Sequence, residues 1–119
     1  MELCPDKEFI FTVCPIRHLK DGAHGNQLSK STLLLGIESI LCGNGTIKAD
    51  YFPAYEIVMD ELRDYRFYAE DMSHPTQQTS GYLLERLLKW GLPEEEHPTL
   101  ENNIRSFRHS QHRPSHATV

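Results

Sequence analysis

Asp71 and His74 stand three residues apart in Asp71-Met72-Ser73-His74-Pro75, a spacing that suits proton transfer. A carboxylate can accept a bond from one imidazole nitrogen, fix the tautomer, and leave the other nitrogen to take a proton. Pro75 fits the first turn of a helix, where its missing N–H costs nothing. Thr76 can then cap the backbone donors that follow. The pair is therefore expected on a loop just outside a helix N-terminus. Taken alone, Asp-x-x-His-Pro also describes a surface loop whose His caps a local carbonyl.

Other residues could join this pair. Arg17 and His18 follow a short apolar run and offer either an anion-binding pair or a solvated strand end. Arg66, flanked by Tyr65 and Phe67, offers either a substrate contact or a structural ion pair to Asp64 or Glu70. A serine nucleophile should sit on a tight strand-to-helix turn with small neighbours. Ser29 and Ser31 lie near a predicted helix start and Ser73 adjoins the His, so no nucleophile is assigned within this chain. Cys14 stands at a strand end, where a small residue is the plainer reading than a reactive thiol. His109, His112 and His116 are spaced by three and four, but they fall in a polar tail and no metal or cofactor is assigned.

The elements that must position these residues follow from the pattern. Glu8 to Val13 reads as a buried strand closed by Pro15. A polar loop comes next, then a helix beginning near Asn26 or Ser29, both good caps. Leu33, Leu34, Ile37, Ile40 and Leu41 give that helix its apolar stripe, and Gly43-Asn44-Gly45 ends it. A second strand is predicted over Thr46 to Phe52, stopped by Pro53, and a short helix over Glu56 to Leu62 with Ile57, Met59 and Leu62 partly buried. The last strong element is a helix from Gln77 to Trp90 with Leu83, Leu84, Leu87 and Leu88 on one face, closed by Gly91 and Pro93. Residues 1–92 form one portion. Residues 93–119 read as an acidic linker, a weak helix after Thr99 and a disordered tail from Arg108.

Strand, helix and strand in this order make a parallel βαβ unit. Ligand sites in open α/β sheets form beyond the carboxyl ends of the strands. Arg17 and His18 follow the first strand, and Arg66, Asp71 and His74 come after the second, so both sets can converge on one sheet edge.

Composition narrows the class. With 119 residues, 39% apolar and 24% charged, the chain has the make-up of one soluble domain. No apolar run is long enough to span a bilayer, and the N-terminus lacks the pattern of a signal peptide. Three cysteines without a C-x-x-C pair signal neither a disulfide framework nor zinc, and a reducing, cytoplasmic setting is the default. A net charge of −5 argues against nucleic-acid binding.

Phe11-Thr12-Val13-Cys14-Pro15-Ile16-Arg17-His18, Tyr51-Phe52-Pro53-Ala54-Tyr55-Glu56, Asp64-Tyr65-Arg66-Phe67-Tyr68 and Asp71-Met72-Ser73-His74-Pro75 resemble the GSCFA-domain family, in the family's order, from about Phe9 to Trp90. That family is similar to the SGNH/GDSL ester hydrolases. The resemblance implies an α/β, SGNH-like (flavodoxin-like) sandwich with a short parallel sheet flanked by helices. It also implies that Asp71 and His74 match the Asp and His of a Ser-His-Asp triad. The Gly-Ser-Cys-Phe-Ala motif that carries the nucleophile is not in this sequence, so the chain looks like the C-terminal part of the domain.

Two functions follow. One is a segment of an ester hydrolase that acts on a small-molecule or glycan ester and supplies the Asp and His. The other is a non-catalytic remnant or interaction module that keeps the fold segment alone. Two strands and a few helices bury little, so a complementing N-terminal segment or self-association is expected to complete the sheet. The purified chain alone should melt without a clear cooperative transition, and a sharp monomeric melt in calorimetry would contradict this.

Overall fold

The computed structural model describes residues 6–43, 45 and 47–111. It is a mixed α/β protein with two compact units, Met1–Leu84 and Glu85–Val119.

In the first unit, β1 (Phe9–Phe11) and β2 (Ala49–Tyr51) pair in parallel, with Phe9 opposite Ala49, Ile10 opposite Asp50 and Phe11 opposite Tyr51. Both strands are three residues long, shorter than the predicted spans. Bonds beyond the strands extend the pairing: Phe9 N–H donates to Lys48 O at 2.9 Å and Phe52 N–H to Phe11 O at 2.8 Å. The Thr12 hydroxyl then donates to Phe52 O at 2.7 Å. Val13 and Phe52, which leave the two strands, are buried together with Ala54, Tyr55, Ile57, Val58 and Tyr68.

The crossover helix α1 (Gly22–Leu41) packs on β2. It begins before either predicted cap, after a 3₁₀ turn at Leu19–Asp21. Gly22 joins the turn to the helix at φ 75°, a value that favours glycine. Asn26 and Ser29 therefore lie inside the helix and cap nothing at its start. The predicted apolar stripe is at best half-buried, and Leu33 is exposed. What α1 buries is polar: Asn26 and Lys30, one turn apart on the same face. The Asn26 side-chain oxygen accepts from His18 N–H at 2.8 Å, and Lys30 Nζ donates to Cys14 O at 2.6 Å. At 2% exposure, the Lys30 Nζ has that carbonyl and the Tyr55 ring, 5.9 Å away, as its partners. Burial pushes its pKa below the usual lysine range, while the nearby Cys14 thiol acts in the opposite direction.

After β2, the chain forms α2 (Ala54–Glu56) and widens into a π-helical turn over Ile57–Leu62. This helix starts two residues earlier than predicted and buries Tyr55 and Val58 as well as Ile57. The wider turn ends when Arg63 N–H donates to Val58 O at 3.1 Å, with Arg63 itself left-handed at φ 56°.

The helix α3 (Gln77–Gly91) has nearly its predicted span, but Pro75 is not in it. Pro75 forms an antiparallel bridge with Tyr68. Thr76 is the cap: its hydroxyl oxygen accepts from Thr79 N–H at 3.2 Å, and the fully buried Thr79 hydroxyl donates to Phe67 O at 2.7 Å. In the second unit, Glu94–Glu96 form a 3₁₀ turn that leads into α4 (His97–Gln111), and His97 Nε2 lies 3.1 Å from Leu92 O. Helix therefore continues through Arg108 to Gln111, and the rest of the predicted tail lies outside the described residues. Among the described residues no helix is long and apolar enough to cross a membrane.

The buried polar face of α1 makes a sharp expectation. Asn26→Leu and Lys30→Met each leave a backbone group of the Cys14–His18 segment without its partner. Each should lower the local opening free energy of the Cys14–His18 segment, read by native-state amide hydrogen exchange, by about 1–3 kcal/mol, against less than about 0.5 kcal/mol for ordinary surface changes.

Candidate active site

The turn that carries Asp71 and His74 is built by its backbone. The Tyr68–Pro75 bridge closes it, Ala69 N–H donates to His74 O at 2.7 Å, and Met72 N–H donates to Ala69 O at 2.9 Å. Thr76 N–H adds a bond to Phe67 O at 2.9 Å. Met72 sits at φ 58°, a conformation that costs a side-chain-bearing residue roughly 1 kcal/mol and that these surrounding bonds hold in place.

Asp71 is the centre of the turn. Its Oδ1 accepts from Ser73 N–H at 2.9 Å and His74 N–H at 3.0 Å, and its Oδ2 lies 2.5 Å from His74 Nδ1. The Ser73 hydroxyl donates to the Asp71 carbonyl at 3.2 Å. The amide of His74, then that of Ser73, then the imidazole hold the Asp71 carboxyl down to about 2. An anion at this position can only accept, so Nδ1 carries the hydrogen. In the neutral ring Nε2, which has no bond to another described residue, then holds the lone pair. That is the arrangement of a general base. Both side chains are well exposed, at 63% for His74 and 50% for Asp71.

The segment after β1 reaches this turn. Arg17 N–H donates to Ser73 O at 2.9 Å, and the buried Tyr68 hydroxyl donates to Pro15 O at 2.9 Å. The Arg17 guanidinium lies over the Tyr65 and Tyr68 rings, 5.4 and 5.9 Å from their centroids, and Nη1 donates to the Tyr65 hydroxyl at 2.8 Å.

The predicted site residues divide accordingly. Arg17, Asp71 and His74 belong to two loops joined by a backbone bond. The His18 side chain is exposed, and only its amide is used, by Asn26. Arg66 is tied to Asp64: its N–H donates to Oδ1 at 2.8 Å and its Nη2 to Oδ2 at 3.0 Å, while its guanidinium lies 5.7 Å from the Phe67 ring. Cys14 is exposed at the thiol and contributes its carbonyl. Among the described residues no three His, Cys, Asp or Glu side chains gather as metal ligands do, and His112 and His116 lie outside those residues. Sequence reading missed Asn26 and Lys30 as the residues that fix the Cys14–His18 segment. Their four-residue spacing on a helix was the available signal. It also missed Tyr65 and Tyr68 as the rings beneath Arg17, where only their clustering around Arg66 hinted at a shared surface.

A carboxylate–imidazole pair beside the loop that leaves a parallel strand defines a mixed α/β protein with a candidate proton-transfer site. The GSCFA family model matches residues 1–87, and the chain belongs to the GSCFA family. No curated protein and no solved structure matches the chain.

Because the folded-state pKa of Asp71 lies below its ordinary 3.8, its stabilising effect on the turn is complete above the ordinary value and is lost as pH falls through about 2. Carboxyl ¹³C NMR should give Asp71 a midpoint near 2, with the Ser73 and His74 amide shifts following the same curve. A midpoint at the ordinary value would mean that the three bonds do not persist in solution.

Proposed function

We propose that this GSCFA chain supplies the acid–base half of an SGNH-like ester hydrolase, with His74 as the base and Asp71 as its orienting partner. The observation that carries this reading is the Asp71 carboxylate, fixed by two amides of its own turn and directed at His74 Nδ1. His74 would take the proton of an attacking serine hydroxyl and later give it to the leaving alcohol. Among the described residues no serine stands on a strand-to-helix turn: Ser29 and Ser31 are in α1, and the Ser73 hydroxyl is held by Asp71 O. The hydroxyl and the oxyanion donors therefore come from a complementing segment or a second chain, and the substrate is a small-molecule or glycan ester.

A second reading, a non-catalytic interaction module, is favoured by two observations. His74 and Asp71 are open to water, and Leu28, Leu33 and Leu35 of α1 are exposed, Leu35 at 72%. Such a module would keep the turn as a structural device and use the apolar helix to bind.

Activity separates the two. The chain, assayed with the polypeptide encoded immediately upstream, should hydrolyse a short p-nitrophenyl ester, and His74→Ala should reduce kcat by about 10³-fold or more. Absence of hydrolysis in that mixture, or hydrolysis indifferent to His74→Ala, would leave the interaction module as the function.

A further inference from the structure

Beside the Asp71–His74 turn lies a cleft of about 170 Å³ that the proposed chemistry does not use. Arg17, Arg63, Asp64, Tyr65 and Tyr68 line it, and the buried Val58 contributes an apolar wall. Small-molecule pockets usually hold roughly 300–1,000 Å³, so this one admits a single headgroup and not a whole ligand.

Its charge is one-sided. Arg17 is already positioned by two phenol rings and the Tyr65 hydroxyl, and that bond uses one of its five N–H donors. Arg63, which lines the cleft, is itself the left-handed residue that ends the π-helical turn. Its guanidinium makes no ion pair or hydrogen bond among the described residues. The one carboxylate of the lining, Asp64, is engaged by the amide and the guanidinium of Arg66. Two arginines therefore line a small space whose one lining carboxylate is already engaged, and a guanidinium fork matches a carboxylate or phosphate in shape as well as charge.

We infer that this cleft binds an oxyanion, a carboxylate or phosphate, through Arg17 and Arg63. Its place in the chain gives that site a use. The backbone of Arg17 is bonded to Ser73, the neighbour of His74, so an anion held here would fix one end of a substrate next to the base. Resting on the ester-hydrolase reading, the inference names the substrate class: an ester whose acyl or alcohol part ends in a carboxylate or phosphate.

Binding can be tested without catalysis. The chain, ¹⁵N-labelled, is titrated at constant ionic strength with inorganic phosphate and separately with succinate. The inference expects saturable shifts at the Arg63, Tyr65 and Tyr68 amides in the millimolar range. Arg63→Gln, its spectrum otherwise unchanged, should weaken binding about tenfold. Tighter binding of succinate would assign the carboxylate class, and tighter binding of phosphate the phosphate class. No saturation with either anion, or equal binding by Arg63→Gln, would overturn the inference. Anion binding without ester hydrolysis would sink the enzyme reading alone. Hydrolysis that requires His74, in a chain whose cleft takes up no anion, would sink this inference alone.

Discussion

The segment from Cys14 to His18 leaves β1 with backbone groups that no strand can pair, and the rest of the first unit is arranged to pair them. Lys30 reaches the carbonyl of Cys14, Tyr68 reaches that of Pro15, Ser73 receives the amide of Arg17, and Asn26 receives that of His18. A buried backbone group without a partner costs as much as a lost hydrogen bond, so these four contacts fix where α1 and the Asp71–His74 turn can lie. Two come from one face of α1. The other two come from the loop that carries the candidate base. The place of the turn that carries His74 thus depends on how the exit of β1 is satisfied.

This constraint explains what the sequence made visible and what it hid. Asp71 and His74 declare themselves because their bond is local: three residues, a tight turn and a carboxylate that can reach both the ring and the amides. The Thr76 cap and the span of α3 are local in the same sense, and the parallel pairing follows from the order strand, helix, strand. Non-local demands were hidden. Local rules make Asn26 a cap candidate and give Lys30 no role, whereas the fold buries both, Asn26 to receive an amide eight residues away and Lys30 to reach a carbonyl sixteen residues away. The same rule assigns Leu33 to a core, although it is exposed. Pro75 reads as a helix start in isolation. The bridge to Tyr68 claims it instead, because the turn must be closed before α3 can begin.

Family membership and geometry support each other without being the same argument. The GSCFA match covers both the segment after β1 and the Asp71–His74 turn. The backbone bond from Arg17 to Ser73 gives a physical reason for those two stretches to belong together. The exposure of His74 is the counterweight. A base that works on a hydroxyl gains from exclusion of water, and the proposed hydrolase therefore requires another surface to cover the turn. The exposed leucines of α1 provide apolar area that such a surface, or a different partner, could bury.

Amide hydrogen exchange on the Tyr68→Phe variant examines the central dependence most directly. That change removes only the hydroxyl bonded to Pro15 O, which touches neither Asp71 nor His74. If the exit of β1 positions the base, protection at the Arg17 and Ala69 amides, which bond to Ser73 and His74, should fall together by about three- to tenfold. Unchanged protection at Ala69 alongside a loss at Arg17 would show that the Asp71–His74 turn holds itself, and would contradict the account.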